Sequence, residues 1–267
     1  NIAKVKNKLE TLGVSGSSEI FGSDYKNTYV GRTAEGAPIG HFYVLNALGI
    51  YQSQNEVESY RNADGNLIQP LAVAGDVKFQ DVNGDGIISA KDRINAGNSF
   101  PSLTYALNGS ANYKGFDMSM LWTGSHGNKI FNGLKYGGVF MQGATYNNSP
   151  EILNRWTPES PSSTLPRVTI KDLNNNKVYS TLYIEEGSFL RLKYLTFGYT
   201  FNESILKKSA VKLRVFTSLQ NLITFTKYTG FDPEIGADIE SSGNMYGVDR
   251  GAYPQAKAFI LGLNFNF

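Results

Sequence analysis

The stretch QAKAFILGLNFNF, residues 255–267, decides the fold. Phe259, Leu261, Leu263, Phe265 and Phe267 fall on one side of an extended chain. Ile260, Gly262, Asn264 and Asn266 fall on the other. A period of two marks a β-strand, because successive side chains leave opposite faces of the pleat. One face here is continuously apolar, and the other is mostly small or amide. Such a strand needs an apolar medium on one side and tolerates water on the other.

The pattern recurs upstream. LTYALNGSANY (103–113) alternates Leu103, Tyr105, Leu107 and Tyr113 with Thr104, Asn108, Ser110 and Asn112. Lys114-Gly115 leads into FDMSMLWTG (116–124), with Phe116, Met118, Met120 and Trp122 on one face; the pair predicts a tight hairpin. FLRLKYLTFGYTF (189–201) and AVKLRVFTSLQNL (210–222) read the same way. IGHFYVLNALGIY (39–51) reads as a further strand, and NIAKVKNKL (1–9) as another. The connections at 114–115 and 202–209 are short, whereas 52–102, 125–188 and 223–255 are long. Compact soluble domains seldom carry loops of that length. Outer-membrane barrels have short periplasmic turns and long external loops. Tyr113, Phe116, Phe189, Tyr199, Phe201 and Phe267, near strand ends, suit aromatic girdles.

The fold class expected is therefore all-β, with antiparallel strands. Six or seven strands are visible, against about 22 in a large transporter barrel. The polar faces also lack the bulky side chains that would fill a small closed barrel. The strands thus read as an arc of a larger transmembrane wall. A soluble β-sandwich shows the same alternation. The alternative is a secreted, calcium-stabilised module that binds carbohydrate.

Composition excludes several classes. The 267 residues carry 25 basic and 23 acidic side chains, a net charge of +2. Nucleic-acid binding usually shows a clustered basic face, and none is visible. There is no cysteine, hence no disulfide framework or thiolate chemistry. No apolar run reaches the roughly 20 residues of a membrane-spanning helix. The start, NIAKVKNKLE, lacks a signal-peptide pattern, so the chain reads as mature or as a piece of a longer one. His41 and His126 are the only histidines, and no G-x-S-x-G, H-E-x-x-H or P-loop occurs. Glu185 and Glu186 are adjacent, so an extended chain points them apart, unlike a glycosidase pair. No enzyme is expected.

DVNGDGIISAKD, residues 81–92, has the spacing of a calcium loop. Such a loop takes side-chain oxygens at positions 1, 3 and 5, a carbonyl at 7, often a water at 9 and a carboxylate at 12, with glycine at 6. Those positions hold Asp81, Asn83, Asp85, Ile87, Ser89, Asp92 and Gly86. Oxygen ligands without His or Cys suit Ca2+ rather than zinc or copper. Ile88 can anchor the loop inward. The loop is expected to hold a structural Ca2+, although Asp92 has a shorter arm than the usual glutamate; the alternative is an Asx-rich turn held by Asn83 and Gly84 without metal. Of the loop aromatics, Tyr136, Phe140, Tyr146, Trp156 and Tyr246 are weak candidates for stacking on sugar rings. Asp232-Pro233-Glu234 reads as a turn.

Four blocks converge on one family. They are GDVKFQDVNGDGIISAKDRINAGNSFPSLTYALNGSANYKGFDMSMLWTGSHGNKIFN, IEEGSFLRLKYLTFGYTF, LQNLITFTKYTGFDPE and YPQAKAFILGLNFNF. In this order they resemble the end of SusC/RagA-type TonB-dependent outer-membrane transporters. GAPIGHFYVLNALGIYQSQNEV (36–57) looks like the strand and loop before them. The resemblance implies a barrel of about 22 strands in the bacterial outer membrane, plugged by a domain absent from this chain. It also implies TonB-driven import of oligosaccharides or peptides under a SusD-like surface lipoprotein. The chain would then be the C-terminal portion, touching membrane lipid. Its C-terminus would lie at the periplasmic side and its long loops would be extracellular.

Overall fold

Period-two segments fold into strands, and their apolar positions fix the register in which they pair. The computed structural model describes residues 1–13, 17–25, 28–139, 147–162, 164–201, 212–236 and 246–266. The first elements are β1 (Ile2–Lys4), β2 (Glu19–Tyr25), β3 (Thr28–Ala34), β4 (His41–Leu45), β5 (Ala47–Ile50), α1 (Gln54–Ser59) and β6 (Val77–Phe79). Then come β7 (Arg93–Asn98), β8 (Leu103–Tyr113), β9 (Phe116–His126), β10 (Lys129–Asn132), α2 (Gly133–Gly138) and β11 (Ile184–Glu186). The last are β12 (Phe189–Thr200), β13 (Lys212–Thr226), β14 (Val248–Asp249) and β15 (Ala258–Asn266).

A six-stranded antiparallel wall runs β1-β8-β9-β12-β13-β15. Its register stacks like with like. One face carries the row Ala111, Met118, Phe197, Thr217, Leu261 and the row Tyr113, Phe116, Tyr199, Val215, Leu263. The opposite face carries Ser110, Ser119, Thr196, Ser218 and Ile260. Phe259 and Leu261 are 71% and 70% exposed, so nothing covers the apolar face. A sandwich would bury that face under a second sheet. Lys114 and Gly115 make the two-residue turn between β8 and β9, both with positive φ (47° and 88°). That twist suits a right-twisted hairpin. A register shift past Leu192 coincides with Asn221 at φ 50°, a residue type that tolerates this conformation.

The core lies elsewhere. Among the described residues, only Phe189 and Leu192 of the buried apolar side chains belong to the wall strands. The rest build a layer at one end of the wall from three small sheets: β2-β3-β4-β7, β5-β6 and β11-β10-β14. One cluster joins Tyr25, Val30, Phe42, Val44, Phe131, Tyr179 and Tyr183. A second joins Leu45, Ile50, Val77, Phe79 and Trp156. His41 is buried here with its Nδ1 3.0 Å from the Pro38 carbonyl. Burial, partly offset by that hydrogen bond, holds its pKa below the ordinary histidine value.

The structure corrects several boundaries. Residues 39–51 are not a wall strand. They split into β4 and β5, which join different sheets of the layer. The split falls at Asn46, whose amide donates to Gln80 Oε1 at 2.6 Å, and at Gly49 with φ 140°. Of residues 1–9 only the first few join the wall: Ile2–Lys4 form β1, and Asn1 exchanges backbone hydrogen bonds with Ala106. The hairpin β2-β3 was not foreseen, and the long connections contain β6, β7, β10, β11, β14 and both helices. The 202–209 connection, Phe140, Tyr146 and Phe267 lie outside the described residues.

Candidate functional site

Where the wall meets the layer, Arg191 on the polar face of β12 forms a hub. It is 3% exposed. Its Nε donates to Thr224 Oγ1 at 2.9 Å, Nη1 to Glu234 Oε2 at 2.7 Å and Nη2 to Asp232 Oδ1 at 2.7 Å. Lys193 Nζ also reaches Glu234, at 2.8 Å. Asp232 Oδ2 accepts from the Gln255 backbone N–H at 2.9 Å. Burial alone would raise the Asp232 carboxyl. Arg191 and the Gln255 and Glu234 N–H groups outweigh it and hold the pKa below the usual carboxylate range. A planar guanidinium offers five donors, which lets one side chain hold two carboxylates and a hydroxyl. The segment read as a simple turn, Asp232-Pro233-Glu234, is thus clamped to β12, with Thr224 of β13 steadying the arginine that holds it. Its sequence signal was the pairing of an arginine in FLRLK with acids about 40 positions on, which spacing alone cannot connect.

Lower on the same face, Arg214 reaches across Gly198 to Asp117, with Nε to Oδ2 at 2.8 Å. A Cβ on Gly198 would lie 2.4 Å from the guanidinium, so the glycine opens the path. Phe216 covers Gly262 of the next strand in the same manner.

The acidic loop folds on its own side chains. Asp81 accepts from the N–H of Gly84 and of Gly86, both at 2.8 Å. Asn83 Oδ1 accepts from Asp85 N–H at 2.9 Å, and Asp85 Oδ1 from Ile87 N–H at 3.0 Å. Gly84 and Gly86 have φ of 73° and 80°, values that favour glycine. Ile88 packs on the second core cluster. Asp92 is fully buried and accepts from Val82 N–H at 2.9 Å and Ser89 N–H at 2.7 Å. Burial raises its carboxyl, and the backbone donors more than reverse that, leaving the pKa lowered. Asp92 therefore braces the loop from inside. Asp81, Asn83 and Asp85 carry side-chain oxygens of the kind a hard cation takes, whereas Asp92 is turned inward onto the backbone N–H groups of Val82 and Ser89. Among the described residues, no three His, Cys, Asp or Glu side chains converge on one point.

The aromatic candidates separate. Tyr136 packs in the first cluster, its ring 4.9 Å from Tyr179 and 5.1 Å from Tyr183. Trp156 is buried, donates from Nε1 to Gln52 Oε1 at 3.2 Å and covers Gly75. Neither offers a free ring face. Tyr246 stacks on Phe100 with 4.5 Å between centroids. Gly75 has φ 89°, and a Cβ there would sit 2.3 Å from the Trp156 ring. Gly75→Ala is expected to cost about 3 kcal/mol, from backbone strain and overpacking together. Thermal unfolding followed by tryptophan fluorescence reads the loss.

Glu185 and Glu186 serve different partners. Glu185 accepts from Thr229 N–H at 2.9 Å, and Glu186 accepts from Lys129 Nζ at 2.8 Å. They hold the β10-β11 corner.

Comparison with known proteins now bears on this architecture. No family model matches the chain. TonB-dependent receptor P3 of Formosa agariphila is 32% identical over 275 aligned residues, all of this chain and 26% of that protein. SusC of Bacteroides thetaiotaomicron, also a TonB-dependent receptor, is 27% identical over 71% of this chain and 17% of its own length. The chain spans about a quarter of the length of the first relatives it matches. The structure of the RagAB peptide transporter matches 95% of this chain and 25% of that one, with a TM-score of 0.66 at 24% identity. That likeness concerns the fold. With likeness of sequence along the whole chain, this chain belongs to the TonB-dependent receptors, a family of outer-membrane proteins.

Proposed function

We propose that the chain forms wall and outer loops of an importer for oligosaccharides or peptides. In this reading the remainder of the protein completes a barrel of about 22 strands and supplies the plug. TonB energises transport, and a SusD-like lipoprotein covers the outer mouth. The observation that carries the reading is the six-stranded wall, apolar and uncovered on one face and polar on the other. The orientation is part of the same proposal and is supported by the unequal ends of the wall. The tight Lys114-Gly115 turn suits the periplasmic rim and the folded layer suits the outside, and in this reading the C-terminus lies at the periplasmic side. The full-length gene product should require detergent for extraction from outer membranes, and its deletion should abolish uptake of one oligosaccharide or peptide class. Recovery of a folded monomer from the soluble fraction without detergent would sink the proposal.

The acidic loop, in the same reading, holds Ca2+ through Asp81, Asn83, Asp85 and the Ile87 carbonyl and so stiffens the outer layer. Extracellular calcium modules bind at roughly 10⁻⁴–10⁻³ M. At about ten times a ~1 mM dissociation constant, binding adds about 1.4 kcal/mol of stability. Thermal unfolding of the detergent-solubilised receptor should therefore shift upward with calcium. Asp81→Ala combined with Asp85→Ala should remove the shift. A wild type indifferent to calcium contradicts the metal.

A further inference from the structure

The apolar face of the wall changes character where it approaches the layer. Tyr105, Gly124, Leu190 and Phe225 lie side by side on β8, β9, β12 and β13. The next row toward the layer begins with Lys4, Leu103 and His126. Ser188 and Lys227 continue it, one residue beyond the last paired positions, Phe189 and Thr226. Tyr105, Leu190 and Phe225 from the first row and His126, Ser188 and Lys227 from the second line an open cleft of about 670 Å³. Its floor stays low because residue 124 is glycine. A Cβ there would lie 2.5 Å from the Tyr105 ring. The ring therefore lies across Gly124, and its hydroxyl donates to the Phe189 carbonyl at 3.0 Å.

The cleft is apolar below and cationic above. Lys227 is exposed and makes no hydrogen bond or ion pair among the described residues. Glu186 is the acid in the lining, and it is already held by Lys129 Nζ at 2.8 Å and Ser188 Oγ at 2.7 Å. The His126 ring stands 3.4 Å from the same hydroxyl. Lys129 thus cancels Glu186, and the charge of Lys227 is left over. We propose that the cleft holds a membrane lipid whose headgroup carries an uncompensated phosphate. The acyl chain lies along Leu190 and Phe225, and the phosphate meets Lys227 beside His126. A long lysine stem lies against apolar surface while its ammonium reaches the headgroups, and basic residues at a membrane edge attract anionic lipid. The position favours this occupant. The remainder of the barrel joins at the wall's edges, β1 and β15, whereas the cleft lies over β8, β9, β12 and β13 between them. The outer face of a barrel meets lipid. The proposal rests on the lipid-facing reading of the apolar face given above.

The test uses the full-length receptor in detergent, mixed with phosphatidylglycerol or zwitterionic phosphatidylcholine, each carrying a diazirine on one acyl chain. After illumination, the phosphatidylglycerol probe should mark peptides holding Leu190 or Phe225 more heavily than the phosphatidylcholine probe does. Lys227→Gln should cut the phosphatidylglycerol yield about fivefold, the weight of one basic residue at a charged membrane surface. It should leave the phosphatidylcholine yield unchanged, which controls for folding. Lys227→Arg, which keeps the charge, should retain both. Three results overturn the headgroup site alone: equal yields from the two probes, a yield indifferent to Lys227→Gln, or full displacement of phosphatidylglycerol by equimolar inorganic phosphate. A wall that neither probe marks overturns its lipid-facing placement as well.

Discussion

Arg191→Met should cost about 3–5 kcal/mol, the range measured when one member of a buried ion pair is removed. The arginine is 3% exposed and its Asp232 partner 6%. Removing the cation leaves a buried carboxylate with two backbone donors and no counter-charge. Glu234 keeps Lys193 and suffers less. The expected readouts are a lower unfolding temperature of the detergent-solubilised receptor and faster proteolysis near residues 227–236. The pH dependence has a definite sign. Asp232 has a lowered folded pKa, so its contribution is present above the ordinary carboxylate range and fades as pH falls through the lowered value. In Arg191→Met the isolated carboxyl takes up a proton at higher pH. The gap between wild type and variant should therefore narrow in acid. A gap independent of pH would show that lost packing, not charge, dominates.

Met120→Arg should cost about 2–4 kcal/mol, the penalty for a cation at mid-depth on the lipid face of a barrel. Ser119→Arg, one residue away on the polar face, should cost far less. The contrast follows from the register, in which Met120 pairs with Gly109 and Leu195 while Ser119 pairs with Ser110 and Thr196. Denaturant unfolding of the receptor in lipid vesicles measures both. Equal penalties would contradict a wall with one face in lipid.

The wall was legible because its signal is local. Each of 103–113, 116–124 and 189–201 carries its own alternation, and the partner strand only has to match it. Residues 39–51 alternate too, yet they leave the wall. Asn46 is tied to Gln80 and Thr181, residues a period-two count never compares. The Arg191 hub was hidden for the same reason. The loop spacing at 81–92 was plain, but spacing cannot tell a carboxylate aimed at a cation from one turned inward, as Asp92 is. Nor does composition tell a presented tryptophan from a packed one: Trp156 became core because Gly75 leaves its ring a seat.

The separation of core from wall has a further consequence. The layer's clusters of Tyr, Phe, Val and Leu give it a reason to collapse in water. The wall has almost no interior of its own, and its apolar rows find shelter only in a bilayer. Two solvents therefore judge one chain. A substitution in the layer is weighed by the same rules as in any water-soluble domain. One on the wall's outer face is weighed by the thickness and chemistry of the surrounding lipid. Sequence drift should be filtered differently on the two sides of the boundary near Phe189, although the backbone runs through it without a break.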